Sequence, residues 1–163
     1  MSSVVRSEAA TIVIPTRNEW YKAAYYDSPT SSYFDYPTWS NSPPTCAGPT
    51  AAANSANCVY SDSRPVAVGS YTGSSSPSGT SDQGGNVGEL TETSTGVPFQ
   101  RFMLGGGFLN DPSALAVSSS NARFVTDESF DTGFRLVLIP EPGSDLLVIG
   151  GLLGLVGYRR VRA

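Results

Sequence analysis

The sequence predicts one loop-rich domain with little regular structure. Three observations predict it. Ser, Gly and Pro fill 53 of the 163 positions, and these types interrupt helices and strands rather than extend them. Charged residues make up only 15% of the chain, far below what a helical bundle or coiled coil requires. The 8 Tyr, 7 Phe and 2 Trp still supply enough aromatic bulk for a core, which separates this chain from a disordered polar one. The length suits a single domain.

The elements follow in order. Thr11 to Pro15 (TIVIP) reads as a short buried strand ending at proline. Thr16 and Glu19 have the spacing of a capping box, which predicts a short helix over Glu19 to Tyr26. Trp20, Ala23 and Ala24 fall on one face of that helix, and Asp27-Ser28-Pro29 ends it. Residues 28–56 contain Pro29, Pro37, Pro43, Pro44 and Pro49 and form a long irregular connection. Tyr33, Phe34, Tyr36 and Trp39 are expected to pin it to the core. Val66 to Tyr71 (VAVGSY) reads as a strand, and Thr72 to Thr80 as a turn region. Gln100 to Leu104 and Phe108-Leu109 flank Gly105-Gly106-Gly107, a place for close backbone approach. Gly133 to Ile139 (GFRLVLI) alternates and then becomes apolar, as a final core strand would.

Charge and residue types exclude several chemistries. The net charge is −4, and without residues 140–163 seven basic residues face twelve acidic ones. Such a surface offers a phosphate backbone no footprint, so nucleic-acid binding is not expected. The chain has no His, which removes the commonest general base, the Ser-His-Asp triad and imidazole metal sites. Cys46 and Cys58 are the two cysteines, and their spacing fits no zinc pattern. They either close a surface loop as a disulfide in an exported chain or stand as two unpaired thiols. Asp127 with Glu128, or Glu89 with Glu92, could be imagined as acid/base pairs. Nothing in the sequence sets the carboxyl separation a glycosidase needs, so they read as surface charges. Gly105-Gly106-Gly107 lacks the following Lys and the strand–loop–helix context of a phosphate loop.

The last residues form a separate segment. Pro140-Glu141-Pro142 precedes a twelve-residue apolar run, Leu146 to Gly157, and then Arg159, Arg160 and Arg162. The run is shorter than the ~20 residues of a full span, and the arginines would hold the cytoplasmic side. The pattern resembles the PEP-CTERM sorting signal of Gram-negative bacteria. That resemblance implies an exported protein halted in the inner membrane by a short C-terminal hydrophobic helix and processed by an exosortase. The expected division is therefore a domain over 1–138 and a sorting and anchor segment over 139–163. Met1 to Ala10 shows no basic region followed by a long apolar stretch. Export with this beginning leads to the expectation that the chain is the later part of a longer product.

Several landmarks in the body belong together. Pro15 to Ala24 (PTRNEWYKAA), Asn54-Ser55-Ala56-Asn57, and Val68-Gly69-Ser70-Tyr71 come first. Ser76-Pro77-Ser78-Gly79, Asp82 to Leu90 (DQGGNVGEL), Gly105-Gly106-Gly107-Phe108 and Gly133-Phe134-Arg135 follow in the same order. Taken in order, they resemble the formylglycine-generating enzyme domain, also called the sulfatase-modifying-factor domain. The resemblance implies an α+β, loop-rich fold like that of a C-type lectin, with calcium support. The family domain begins well before its helix entry, whereas fifteen residues precede it here; an N-terminally incomplete fold is expected.

The resemblance also implies where chemistry would lie. Formylglycine-forming members carry two copper-binding cysteines between the landmarks that fall here at Phe108 and Gly133. That stretch contains no Cys, and Ala116 and Ser120 stand near the places of the usual arginines. Hydroxyls do not replace soft thiolate ligands for Cu(I), so copper is not expected and no catalytic residue is assigned. Gly88 and Leu90 stand where the family has two tryptophans, an expected packing loss of about 3–5 kcal/mol for each buried indole. The family's second calcium site maps onto the Asp82 and Glu89 side chains with the Gly85 and Val87 carbonyls, oxygen donors suited to a hard cation. Its first site would begin at Asn57 and the Cys58 carbonyl, with Asp62 the nearby acid. The function expected is a non-catalytic envelope module binding a polysaccharide or protein. The alternatives are a sulfatase-modifying enzyme that oxidises cysteine and a truncated fragment without function.

Overall fold

The computed structural model describes residues 6, 7 and 9–139. The expected C-terminal hydrophobic helix, the sorting signal and the anchor, at 140–163, lie outside the described residues. Among those described, no helix is long and apolar enough to cross a membrane.

The chain divides into two units. The smaller contains the antiparallel pairing of β1 (Ile12–Val13) with β10 (Val137–Leu138). The Ile139 amide closes this pair on the Thr11 carbonyl at 2.8 Å.

The larger unit holds everything between, from Ile14 to Leu136. It begins with α1 (Arg17–Tyr25). Thr16 caps it through a full capping box: its hydroxyl accepts the Glu19 amide, and Glu19 accepts the Thr16 amide at 2.7 Å. Trp20, Ala24 and Tyr25 form its buried side. The helix ends at Tyr26, whose extended backbone leads into a hairpin of β2 (Tyr26–Asp27) and β3 (Ser32–Tyr33). The connection that follows contains only β4 (Thr45–Cys46), paired in parallel with β5 (Ser55–Ala56).

The main sheet has four strands. β6 (Gly88–Ser94) lies between β7 (Gln100–Leu104) and β9 (Thr132–Gly133), and β8 (Asn121–Phe124) pairs with the far side of β7. A 3-10 turn, Pro112–Leu115, capped by the Asp111 carboxylate, joins β7 to β8. Two apolar clusters fill the unit. Trp20, Ala24, Tyr25 and Leu104 form one, with Tyr21 and Val117 against it. Ala56, Cys58 and Leu115 form the other, with Tyr36, Cys46 and Ala114 packed on it.

Four expectations change here. Val66 to Tyr71 is no strand: the Asn86 carboxamide holds the Val66 amide, the Ser70 amide closes a turn on the Ala67 carbonyl, and Val68 is exposed. Gly133 to Ile139 is no continuous core strand: it splits into β9 and β10, and its alternation points Phe134, Leu136 and Leu138 outward. Arg135 is the side chain that turns inward, because a buried carboxylate awaits it. Trp39 is exposed rather than pinned to the core, while Tyr36 does pack there. Finally, the space above Gly88 is filled: a Cβ there would meet the Met103 sulfur at 2.9 Å. A thioether, soft and unbranched, suits such a gap.

Candidate functional site

The residues singled out for chemistry converge on the turn that leads into β6. Gln83 to Val87 is a tight turn, and glycine is required in it. Gly85 has φ +79°, and a Cβ there would meet the Asn57 carbonyl oxygen at 2.3 Å. The turn is fastened on both sides. The Gly85 amide donates to the Gly105 carbonyl, the Asn86 amide to the Asn57 carbonyl, and the Phe108 amide to the Asn86 carbonyl, each at 2.9 Å. Gly105, with φ +85°, lies against the Gln83 carbonyl and the Trp20 ring, the close approach expected of the glycine triplet. Asn57 is buried and donates its side-chain amide to the Arg64 carbonyl at 3.0 Å.

From this turn β6 carries Glu89 into the interior. Its two oxygens meet Arg135, with Nε at 2.5 Å and Nη2 at 2.6 Å. The indole N–H of Trp20 donates to the same carboxylate at 2.6 Å. Arg135 also donates to the Ser81 carbonyl at 3.3 Å. Glu89 is therefore a bidentate ion-pair partner, the geometry in which guanidinium and carboxylate match best. Asp82, on the rim of the turn, accepts the Gly69 amide at 2.6 Å. Among the described residues no three His, Cys, Asp or Glu side chains stand together. Arg135 and Trp20 occupy Glu89 and the Gly69 amide occupies Asp82, so a cation at Asp82, Gly85, Val87 and Glu89 would have to displace Arg135. Arg135, a landmark in Gly133-Phe134-Arg135, is the site residue whose pairing with Glu89 the reading of single motifs missed. Its signal was the buried acid itself, which demands a partner.

The thiolate question has a structural answer. Cys46 and Cys58 form a disulfide across β4 and the end of β5, with Cα atoms 5.0 Å apart. Cys58 is fully buried, and both sulfurs belong to the cluster that contains Ala114 and Leu115. The chain's two cysteines thus pack against the very segment where a copper site would need thiolates, but oxidised to each other. The residues present do not fit copper. Asp127 and Glu128 are exposed and line a hollow of about 270 Å³ beside Leu90, Thr132 and Phe134, apart from the buried Glu89.

Comparison with known proteins places these features. No curated protein matches the chain. Solved structures do, among them the following two. Treponema denticola variable protein 1 shares 23% identity at TM-score 0.56, covering 79% of this chain and 48% of its own. CarF shares 20% identity at TM-score 0.63, covering 83% of this chain and 50% of its own. The chain thus spans about half the length of these structures, which it resembles in fold. The family described as the Sulfatase-modifying factor enzyme 1-like domain matches residues 6–139. With that match covering most of its length, the chain belongs to the sulfatase-modifying-factor family.

Proposed function

We propose that this protein is an exported, envelope-associated member of the family that works as a binding module, on a C-type-lectin-like scaffold, without oxidase chemistry. The single observation that carries the reading is the fate of the sulfur. Both cysteines are joined in one disulfide, and the stretch from Phe108 to Gly133 has none. A disulfide in a small loop-rich domain also supports an oxidising compartment. The tail from Pro140 supports passage through an exosortase-type sorting machinery and a membrane-held stage. The partner in this reading is an extracellular polysaccharide or a protein.

Calcium at Asp82, Gly85, Val87 and Glu89, with Asn57 at a second position, belongs to the same proposal under one condition. The ion must compete with Arg135 for Glu89. A bound cation stabilises the folded state by mass action, so millimolar calcium raises the melting temperature of the full chain if it binds there. An unchanged melting temperature removes calcium from the reading.

The rival reading, favoured by the family match alone, is a sulfatase-modifying enzyme that oxidises cysteine. The deciding experiment loads the full chain with copper and supplies a peptide containing a cysteine. The expected result is an unaltered peptide, and an aldehyde product would overturn the module reading.

A further inference from the structure

A cleft of about 430 Å³ opens beside the exposed side of α1. Its walls are Tyr26, Pro29 and Pro77, with Lys22, Ser28 and Ser78 at the rim. Four features make it a built site. Lys22 is the chain's only lysine. Its ammonium stands 5.4 Å from the Tyr26 ring centroid, and among the described residues it forms no salt bridge with a carboxylate. The Tyr26 ring is itself braced by Tyr33 at 5.0 Å between centroids. The turn that carries Pro77 is tied to the helix, because the Ser76 hydroxyl donates to the Ala23 carbonyl at 2.9 Å and the Gly79 amide to the Ser76 carbonyl at 2.8 Å. The cleft is therefore shaped before any ligand arrives, and its size lies in the range of small-molecule sites.

The lining selects a chemistry. An aromatic face and two proline rings offer flat apolar walls, suited to the C–H face of a pyranose. Serine hydroxyls at the rim both donate and accept, as ring hydroxyls require. One ammonium over the face of an aromatic ring adds a single positive charge in a chain of net charge −4. We infer that this cleft binds a carboxylate-bearing saccharide of the uronate type, with the sugar face on Tyr26 and the carboxylate on Lys22. The inference deepens the binding-module reading and rests on it. Glu19, also on the cleft wall, is engaged in the helix cap.

The test uses the full chain and three probes: tri-galacturonate, its methyl ester, and the neutral galactose trimer. Titration calorimetry at low and high salt reads affinity. The acid binds, and the ester and neutral trimer bind about tenfold more weakly or worse, the scale of one charge-assisted hydrogen bond. Salt weakens the acid alone. Lys22→Met, which keeps the aliphatic stem, brings the acid down to the level of the ester, whereas Lys22→Arg retains the preference. Melting curves of both variants match the parent, since the side chain is exposed. Equal affinity for acid and ester, an unaffected Lys22→Met variant, or no binding of any trimer overturns the inference. The module reading has its own readout, the aldehyde product described above, so the two can fail separately.

Discussion

Arg135 is the residue on which the buried carboxylate of Glu89 depends. Breaking a buried pair by removing one partner leaves a charge without compensation, at a cost of about 3–5 kcal/mol. Arg135→Met is expected to lose stability on that scale in urea denaturation. The double variant Arg135→Met with Glu89→Gln should recover part of it, because the orphaned charge is gone. Glycine makes a second prediction of the same kind. Gly85 and Gly79 have nearly the same φ, +79° and +78°, but a Cβ would strike the Asn57 carbonyl only at Gly85. Both Ala substitutions carry the strain of a left-handed backbone, about 1 kcal/mol. Gly85→Ala should cost clearly more than Gly79→Ala, and equal losses would mean the turn is not held against Asn57. Asp131 provides a pH dependence. The Ser129 hydroxyl, more than any other group, holds its carboxyl below the ordinary value, desolvation opposes this, and Arg123 at 3.3 Å adds to it. A lowered folded value means stability that is present above the ordinary carboxylate range and is lost as pH falls through the folded value. The melting-temperature difference between the parent and Ser129→Ala should therefore be largest near neutral pH and shrink in acid.

At the scale of elements, the β4–β5 pair is a two-residue ladder, too short to hold itself together. Its stability comes from the Cys46–Cys58 bond beside it and from the Leu115 cluster beneath. A disulfide that closes a loop of this size contributes about 3 kcal/mol, chiefly through the unfolded chain. The Cys46→Ser/Cys58→Ser variant is expected to unfold at lower denaturant by roughly that amount, and reductant should affect the parent but not the variant. Helix α1 is held in a complementary way. Its capping box makes Thr16→Ala cost about 1 kcal/mol, and Trp20 joins the helix to β6 through the 2.6 Å bond to Glu89. One nine-residue helix would be marginal alone; burial of Trp20 and Tyr25 holds it. Burial also pushes the Tyr25 phenol well above its ordinary value, so it remains a neutral donor to the Leu115 carbonyl at 3.1 Å.

For the whole molecule, one scaffold carries two separate regions of interest. The Glu89 turn is closed by Arg135 and by backbone bonds to the Asn57 and Gly105 carbonyls. The Lys22 cleft faces solvent and is bounded by residues from two distant stretches, 19–29 and 77–78. Disruption of Glu89 is expected to lower global stability, while disruption of Lys22 is expected to change ligand affinity at constant melting temperature. The two regions are joined through α1, because Trp20 donates to Glu89 and Gln83 donates to the Trp20 carbonyl, so a double-mutant cycle of Glu89→Gln and Lys22→Met in melting experiments reads how strongly they couple.

The features legible in the sequence were those written in neighbouring residues. Thr16 and Glu19 stand three apart and announced the helix start; Gly105-Gly106-Gly107 announced a close backbone approach; the stretch from Phe108 to Gly133 announced its lack of sulfur simply by containing none. The family itself was readable because several such local signs came in order. Tertiary structure alone decided what depends on partners remote in the chain. β6, one of the sheet's two inner strands, was not legible because GELTETS is half polar, and its burial comes from β7 and from Arg135 rather than from its own pattern. GFRLVLI looked like a core strand, yet the side chain that points inward is the arginine, because Glu89 lies 46 residues earlier and needs a countercharge. Cys46 and Cys58 could equally have been free thiols until the fold brought their backbones to bonding distance. The physical reason is the same in each case: a propensity acts over a few residues, whereas a buried charge or a sulfur takes its state from whatever the chain folds against it.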